Sequence, residues 1–136
     1  VKRPHWIQFP KIGAMDIGYI SVAEYHNLPF EVKRCYWTYY TPESVVRGRH
    51  AHHFLEQVLI AVAGRIEVFT EEKDDTKAVY ILDHPEKGLY LPTYCWHTLR
   101  FSHNAVLLSL CSMSYDEKDY IREYSDFLDI KGRQTD

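Results

Sequence analysis

The chain has little of what would mark several functional classes. Its three cysteines, Cys35, Cys95 and Cys111, are an odd number at wide spacing without a CxxC pair. That excludes a disulfide framework and a thiolate zinc site, and leaves free, buried thiols as the expectation. Neither sign of charge dominates: 16 Lys and Arg against 19 Asp and Glu, interspersed, leave a formal charge of −3. A nucleic-acid-binding surface is therefore not expected, and an anionic ligand must be held by a few placed arginines. Long hydrophobic runs are also missing. Uncharged stretches such as residues 57–64 and 105–115 fall short of the roughly 20 apolar residues of a membrane span, so no membrane partner is expected. Lys2 and Arg3 are followed by no apolar stretch, so no secretory signal is read and a cytoplasmic location is expected.

What is present is 136 residues with 46% hydrophobic and 15% aromatic content, enough for one substantial core and short for two. A single domain over residues 1–136 is expected, and the start at Val1 leaves open that it is one domain of a longer polypeptide. Segments rich in Val, Ile, Tyr, Phe and Trp recur at residues 6–12, 18–25, 30–40, 56–69, 78–82, 88–91, 96–101 and 105–112. Many are separated by turn signals such as Leu28-Pro29, Thr41-Pro42, Lys73-Asp74-Asp75 and His84-Pro85. This spacing predicts an all-β sandwich or barrel. Gly64 is expected to fold residues 56–69 into a hairpin. Only the tail departs: between Asp119 and Ile130, the residues Tyr120, Ile121, Tyr124, Phe127 and Leu128 recur at helical steps and predict an amphipathic helix with one face on the barrel.

Arg47-Gly48-Arg49-His50-Ala51-His52 lies in one of these extended stretches, where residues two apart project to the same face. His50 and His52 thus sit side by side. Such a pair either chelates a divalent metal or sets a proton acceptor beside a donor. Glu56 follows four positions after His52, then Gly64, and His97 lies five residues beyond Pro92. This arrangement resembles the two cupin motifs, HxH with a glutamate and glycine, then PxxxxH on a facing strand. The resemblance implies a double-stranded β-helix, or jelly-roll, barrel with a C-terminal helix. Tyr94 stands where many cupins have glycine, and the interval from Glu56 to Gly64 is one residue longer than usual. In metal-dependent cupins, positions corresponding to His50, His52, Glu56 and His97 are ligands, so a complete metal site is one alternative.

A narrower likeness covers nearly the whole chain. Leu28-Pro29-Phe30-Glu31-Val32-Lys33-Arg34, Arg47-Gly48-Arg49-His50-Ala51-His52, Leu55-Glu56-Gln57-Val58-Leu59, Gly88-Leu89-Tyr90 with Trp96-His97, and Tyr115-Asp116-Glu117-Lys118-Asp119-Tyr120-Ile121-Arg122 resemble the sugar 3,4-ketoisomerases. Members of that family convert dTDP-4-keto-6-deoxyglucose to the 3-keto isomer on the way to 3-amino-3,6-dideoxy sugars of bacterial surface glycans. They are small, metal-free, dimeric cupins. The resemblance implies no cofactor, no bound metal, a dTDP-linked 4-keto-6-deoxy sugar as partner, and a homodimer formed through the N-terminal strands.

Moving a ketone from C4 to C3 requires removing the C3 proton, passing through an enediol(ate) and returning a proton to C4. Histidine suits this because its pKa lies near neutrality. The family resemblance assigns His52 as the base. His50 and His97 are then expected to shuttle protons or donate hydrogen bonds to the sugar oxygens, with Arg47 the nearest cation for the developing oxyanion. Arg34 offers forked donors for the pyrophosphate, and Tyr36 and Thr38 share its strand face as candidate pocket residues. His5, His26, His53, His84 and His103 are read as surface or capping residues. Asp116, Glu117 and Asp119 are read as charges favouring the start of the terminal helix. Two alternatives remain beside isomerisation, a metal-dependent cupin enzyme and a non-catalytic sugar-binding module.

Overall fold

The computed structural model describes residues 2–133. Among them the strands are β1 (His5–Gln8), β2 (Lys11–Ala14), β3 (Gly18–Ser21), β4 (Arg34–Tyr39), β5 (Val46–His52), β6 (Gln57–Ala63), β7 (Ile66–Glu71), β8 (Lys77–Leu82), β9 (Lys87–Leu91), β10 (Trp96–Phe101), β11 (Val106–Cys111) and β12 (Tyr120–Ile121), followed by the helix α1 (Tyr124–Arg133). Two five-stranded sheets, ordered β1-β9-β6-β11-β4 and β12-β5-β10-β7-β8, form the body. Their inner faces meet in one apolar core. Leu59, Ala61, Leu89, Leu91 and Leu107 from the first sheet pack with Ile66, Val68, Leu82, Leu99 and Phe101 from the second. This is the expected jelly-roll architecture, in which alternate residues of facing strands fill the layer between sheets.

Most of β6 is buried on both faces, which explains why its sequence reads as a continuous apolar run. Leu59 and Ala61 enter the inter-sheet core, while Val58 and Ile60 join Phe9, Tyr90 and Leu110 on the outer face of the first sheet. On the outer face of the second sheet, Phe127 of α1 packs with Ala51 and Ile121. Lys131 adds an ion pair to Glu71 at 2.6 Å, and the Tyr124 hydroxyl donates to the same carboxylate. The helix thereby braces β5, the strand that carries two of the three candidate histidines.

Three local expectations are corrected. Gly64 does reverse the chain, with φ +72°, but β6 and β7 belong to different sheets. The turn is a corner between layers, because a glycine reports a reversal and not which strand becomes the partner. The segment 6–12 is broken at Phe9-Pro10: β1 pairs with β9, whereas β2 leaves to form a separate hairpin with β3. Proline lacks the N–H a continuing ladder would use. The terminal helix begins at Tyr124, not Asp119, because residues 117–119 form a 3-10 turn and Tyr120–Ile121 pair with β5.

At Gly64 a Cβ would lie 2.5 Å from the Ala105 Cα, in addition to the cost of a positive φ for an L-residue. Gly64→Ala is expected to lower unfolding free energy in urea by about 2 kcal/mol. A loss below roughly 0.5 kcal/mol would show that this corner relaxes freely.

Candidate active site

His50 and His52 sit on β5, and His97 sits on β10 opposite His50 in the ladder. The register shifts by one residue just beyond this pair, and Gly48 and Arg49 take φ of +82° and +60°. Such a bulge re-aims the strand. It also turns the Gly48 carbonyl toward the His50 ring. The three imidazoles converge: ring centroids lie 4.7 Å apart for His50–His97, 4.9 Å for His50–His52 and 6.3 Å for His52–His97.

The hydrogen bonds fix the tautomers. His50 Nδ1 lies 3.1 Å from the Gly48 carbonyl and His97 Nδ1 lies 3.0 Å from the Cys95 carbonyl. A carbonyl only accepts, so each Nδ1 carries the proton and each neutral ring has a bare Nε2. For His97 that nitrogen faces the Gln57 amide nitrogen at 3.4 Å, an arrangement in which the amide donates. His52 differs in having a carboxylate partner. Its Nδ1 lies 3.0 Å from Asp119 Oδ2, with side chains 5% and 2% exposed. The Asp119 carboxylate also accepts from the backbone N–H groups of Phe54 and Leu55.

Burial dominates the electrostatics. It pushes His50 down to about 2, with the neighbouring imidazoles adding to the effect. His97 is lowered to about 4, again by burial first. His52 is lowered by burial too, but there Asp119 acts in the opposite direction. At neutral pH the His52–Asp119 contact is therefore a neutral imidazole donating to a carboxylate. His52 is the one ring of the three whose protonated form has a buried counter-charge waiting.

Tyr120 covers the cluster. It lies opposite His52 in the β12–β5 ladder, with its ring centroid 4.5 Å from His52 and 5.2 Å from His50. The Arg122 guanidinium carbon is 4.1 Å from the centre of the same ring. Along β4, Arg34, Tyr36 and Thr38 alternate on the half-buried face, as expected, opposite Cys111, Ser109 and Leu107. Arg34 lies over the Tyr36 and Tyr115 rings, and its Nε is buried with no partner among the described residues. Its guanidinium is opposed by burial and favoured by the Cys111 thiol and the Tyr120 phenol, which leaves it above the ordinary arginine value. Among the described residues the Ser109 hydroxyl is likewise buried without a well-formed hydrogen bond, and the Tyr36 phenol is the group it faces.

Two expected participants stand elsewhere. The Glu56 carboxylate accepts from the Tyr90 hydroxyl and pairs with Lys2 Nζ at 2.9 Å, while its neighbour Gln57 is the residue that reaches His97. The four-ligand set of the metal alternative is therefore not assembled, and among the described residues no group of three or more His, Cys, Asp or Glu is arranged to hold a metal ion. Arg47 is exposed, opposite Leu99, and among the described residues it has no hydrogen bond or ion pair. The cations whose charge reaches His50 and His52 are Arg122 and Arg34. Three residues of the cluster escaped the reading of the sequence: Asp119, Tyr120 and Gln57. Asp119 looked like a helix-opening charge, since nothing local links it to a histidine 67 positions away.

The family model described as "FdtA: WxcM-like, C-terminal" matches residues 2–132. A TDP-4-oxo-6-deoxy-alpha-D-glucose-3,4-oxoisomerase of Aneurinibacillus thermoaerophilus is 38% identical, over 89% of this chain and 87% of that protein. QdtA, a sugar 3,4-ketoisomerase of Thermoanaerobacterium thermosaccharolyticum solved with TDP, is 32% identical, covers 97% of this chain and 96% of its own, and superposes with a TM-score of 0.91. A mutant of the same protein was solved with TDP-4-keto-6-deoxyglucose; it is 30% identical over 98% of this chain and 97% of its own, with a TM-score of 0.92. The fold extends to NovW, a 4-keto-6-deoxy sugar epimerase of Streptomyces spheroides, 16% identical over 88% of this chain and 68% of that one, with a TM-score of 0.73.

The depressed imidazoles couple stability to pH. In the unfolded chain His97 titrates near 6.5 and in the folded chain near 4, so the unfolded state binds more protons between those values. His97 thus stabilises the fold fully above about pH 6.5, and this contribution, about 3 kcal/mol, is lost as pH falls toward 4. Thermal unfolding is expected to show Tm falling from pH 7 to pH 4.5, less steeply in His97→Asn. Equal slopes would contradict a neutral buried His97.

Proposed function

This chain belongs to the FdtA/WxcM-like family, and from that premise we propose that it is a sugar-nucleotide 3,4-ketoisomerase, moving the keto group of a dTDP-4-keto-6-deoxyhexose from C4 to C3. The buried His52–Asp119 pair, set among neutral imidazoles at the end of the barrel, is the observation that carries this assignment. A proton α to a ketone needs a base that is neutral at working pH and whose cation is stabilised once formed. His52 meets both conditions. Its Nδ1 is committed to Asp119, so Nε2 is the nitrogen that takes the C3 proton. The 3-keto product is the form from which 3-amino-3,6-dideoxy sugars are made.

His50 bounds the sugar with a bare Nε2 and accepts a hydrogen bond from one of its hydroxyls, while His97, whose Nε2 accepts from the Gln57 amide, packs against the His50 ring. Arg34 supplies the diphosphate contact: its half-buried guanidinium donates to the Cys111 thiol, while its buried Nε has no partner among the described residues and is satisfied when an oxygen acceptor arrives. Tyr36, opposite Ser109, and Thr38 line the same face. Arg47 has no observed contact with the cluster, and polarisation of the ketone is assigned to other groups. No step uses a metal, because Glu56 is turned to Tyr90 and Lys2.

The molecule is a homodimer in this proposal. The β2–β3 hairpin is a two-stranded sheet apart from the body, with Ile12, Met15, Ile17 and Ile20 exposed. Such a hairpin is marginal alone. β4 is an edge strand whose outer face shows Trp37 and Tyr39, and a second copy would cover both. Three free thiols, Cys35, Cys95 and Cys111, suit the reducing cytoplasm, and among the described residues no helix is long and apolar enough to cross a membrane.

Proton NMR of dTDP-4-keto-6-deoxyglucose with EDTA-treated protein is expected to show the 3-keto isomer. His52→Asn should lower kcat by roughly 10³-fold and Asp119→Asn by roughly 10²-fold, each with KM within about threefold of the parent. Near-normal turnover of His52→Asn would remove the base assignment, and isomerisation that appears only after a metal is restored would favour a metallo-cupin. Sedimentation equilibrium should return a dimer for the parent and a monomer for Ile12→Asp with Ile20→Asp; a monomeric parent would contradict the assembly.

A further inference from the structure

The proposed isomerisation leaves one requirement unmet by its histidines. As C3 loses its proton, the C4 carbonyl oxygen becomes an enolate and must be protonated, and later the C3 hydroxyl must give its proton up. His50 and His97 have no free N–H for the sugar, because their Nδ1 protons are held by the Gly48 and Cys95 carbonyls and His97 Nε2 already accepts from the Gln57 amide. His52 is the base. No imidazole therefore brings a proton to the sugar oxygens at the start of the reaction. A proton donor must come from another element.

We propose that Tyr120 is that donor, a second catalytic residue that carries the proton between the two sugar oxygens while His52 carries the proton between the two carbons. β12 pairs Tyr120 directly with His52, and its ring packs on both His52 and His50, at 4.5 and 5.2 Å between centroids. The phenol interacts with the Arg34 guanidinium, and the Arg122 guanidinium lies 4.1 Å from the ring centre. Arg34 stabilises a phenolate directly, and Arg122, whose guanidinium is also paired with Glu117, adds to it from the ring face. Tyr36 and Tyr115 also lie against Arg34, but among the described residues neither makes a ring contact with His50, His52 or His97; Tyr36 faces Ser109, and the Tyr115 hydroxyl donates to Glu117.

The steps balance. His52 Nε2 takes the C3 proton, the C3–H electron pair becomes the C3=C4 bond, and the carbonyl pair moves to O4, which takes the Tyr120 proton. The result is a neutral enediol, an imidazolium held by Asp119 and a phenolate held by the two arginines. The phenolate then takes the O3 proton, O3 becomes the ketone, and the C3=C4 pair takes the imidazolium proton at C4. Tyrosine and histidine return to their starting forms, and no co-reactant is consumed.

This rests on the ketoisomerase assignment, and the experiment separates the two. In D2O, proton NMR of dTDP-4-keto-6-deoxyglucose reports both isomer formation and deuterium entering C3 of recovered substrate. Tyr120→Phe is expected to slow isomerisation at least 100-fold while raising the ratio of C3 exchange to isomerisation at least tenfold, since the carbon proton still moves and the oxygen proton does not. A residue that only packs the histidines would lower both rates in step. Tyr36→Phe should weaken binding and leave the ratio at the parent value. A fluorinated tyrosine at position 120 keeps the ring packing and should also shift the ratio, which covers failure of the Phe variant to fold. An unchanged ratio in the position-120 variants, or a shift in Tyr36→Phe alone, would overturn the proposal while a parent enzyme that isomerises keeps the assignment. A parent that neither isomerises nor exchanges would remove both.

Discussion

The contact between His52 and Asp119 is the constraint from which the rest of the site follows. A carboxylate 2% exposed is costly unless several donors meet it, and here an imidazole N–H and two backbone N–H groups converge on it. To deliver Asp119 to that place, the chain after β11 must cross the end of the barrel, make one 3-10 turn and add two residues to the edge of β5. That short pairing also sets Tyr120 against the histidines, and the helix that follows anchors the crossing through Phe127. One buried charge thus organises His52, the Tyr120 ring against it and the helix that anchors the crossing.

Desolvation gives the site its chemical character. Three rings crowded within a few ångströms of one another cannot all be charged in a buried space, and burial together with mutual repulsion keeps them neutral. Carbonyl partners then fix which nitrogen of His50 and His97 is bare. The cluster is consequently a set of acceptors with one member backed by a carboxylate. Positive charge is supplied from the rim by Arg34 and Arg122, each lying against tyrosine rings. The separation of neutral bases from peripheral cations suits a reaction in which negative charge appears on oxygen and disappears again.

The same physical rules account for what the barrel leaves exposed. Most of β6 is covered on both faces and the helix covers the β5–β12 end of the second sheet, whereas the β2–β3 hairpin and the outer face of β4 keep large apolar side chains in solvent, as do Phe69 and Val79 of the second sheet. The interior needs no second copy, since the two sheets close one continuous core.

Much of this was legible in the sequence. The recurrence of short apolar stretches determined an all-β body, the two-residue spacing of His50 and His52 determined a shared face, and alternation placed Arg34, Tyr36 and Thr38 together. These are local periodicities that strand geometry converts directly into direction. The partner of each element was not legible in the same way. Gly64 reads equally well as a hairpin or a corner between sheets, Glu56 and Gln57 differ by one position in which way they face, and Asp119 reads as a helix-opening charge. Those choices depend on which distant segment arrives alongside, and on whether a charge finds donors there once water is gone. Residue types and their spacing were therefore determined by the sequence alone. The carboxylate behind His52, the phenol above it and the glutamate turned away were decided by tertiary structure, because burial and pairing across the barrel exist only after the chain has closed.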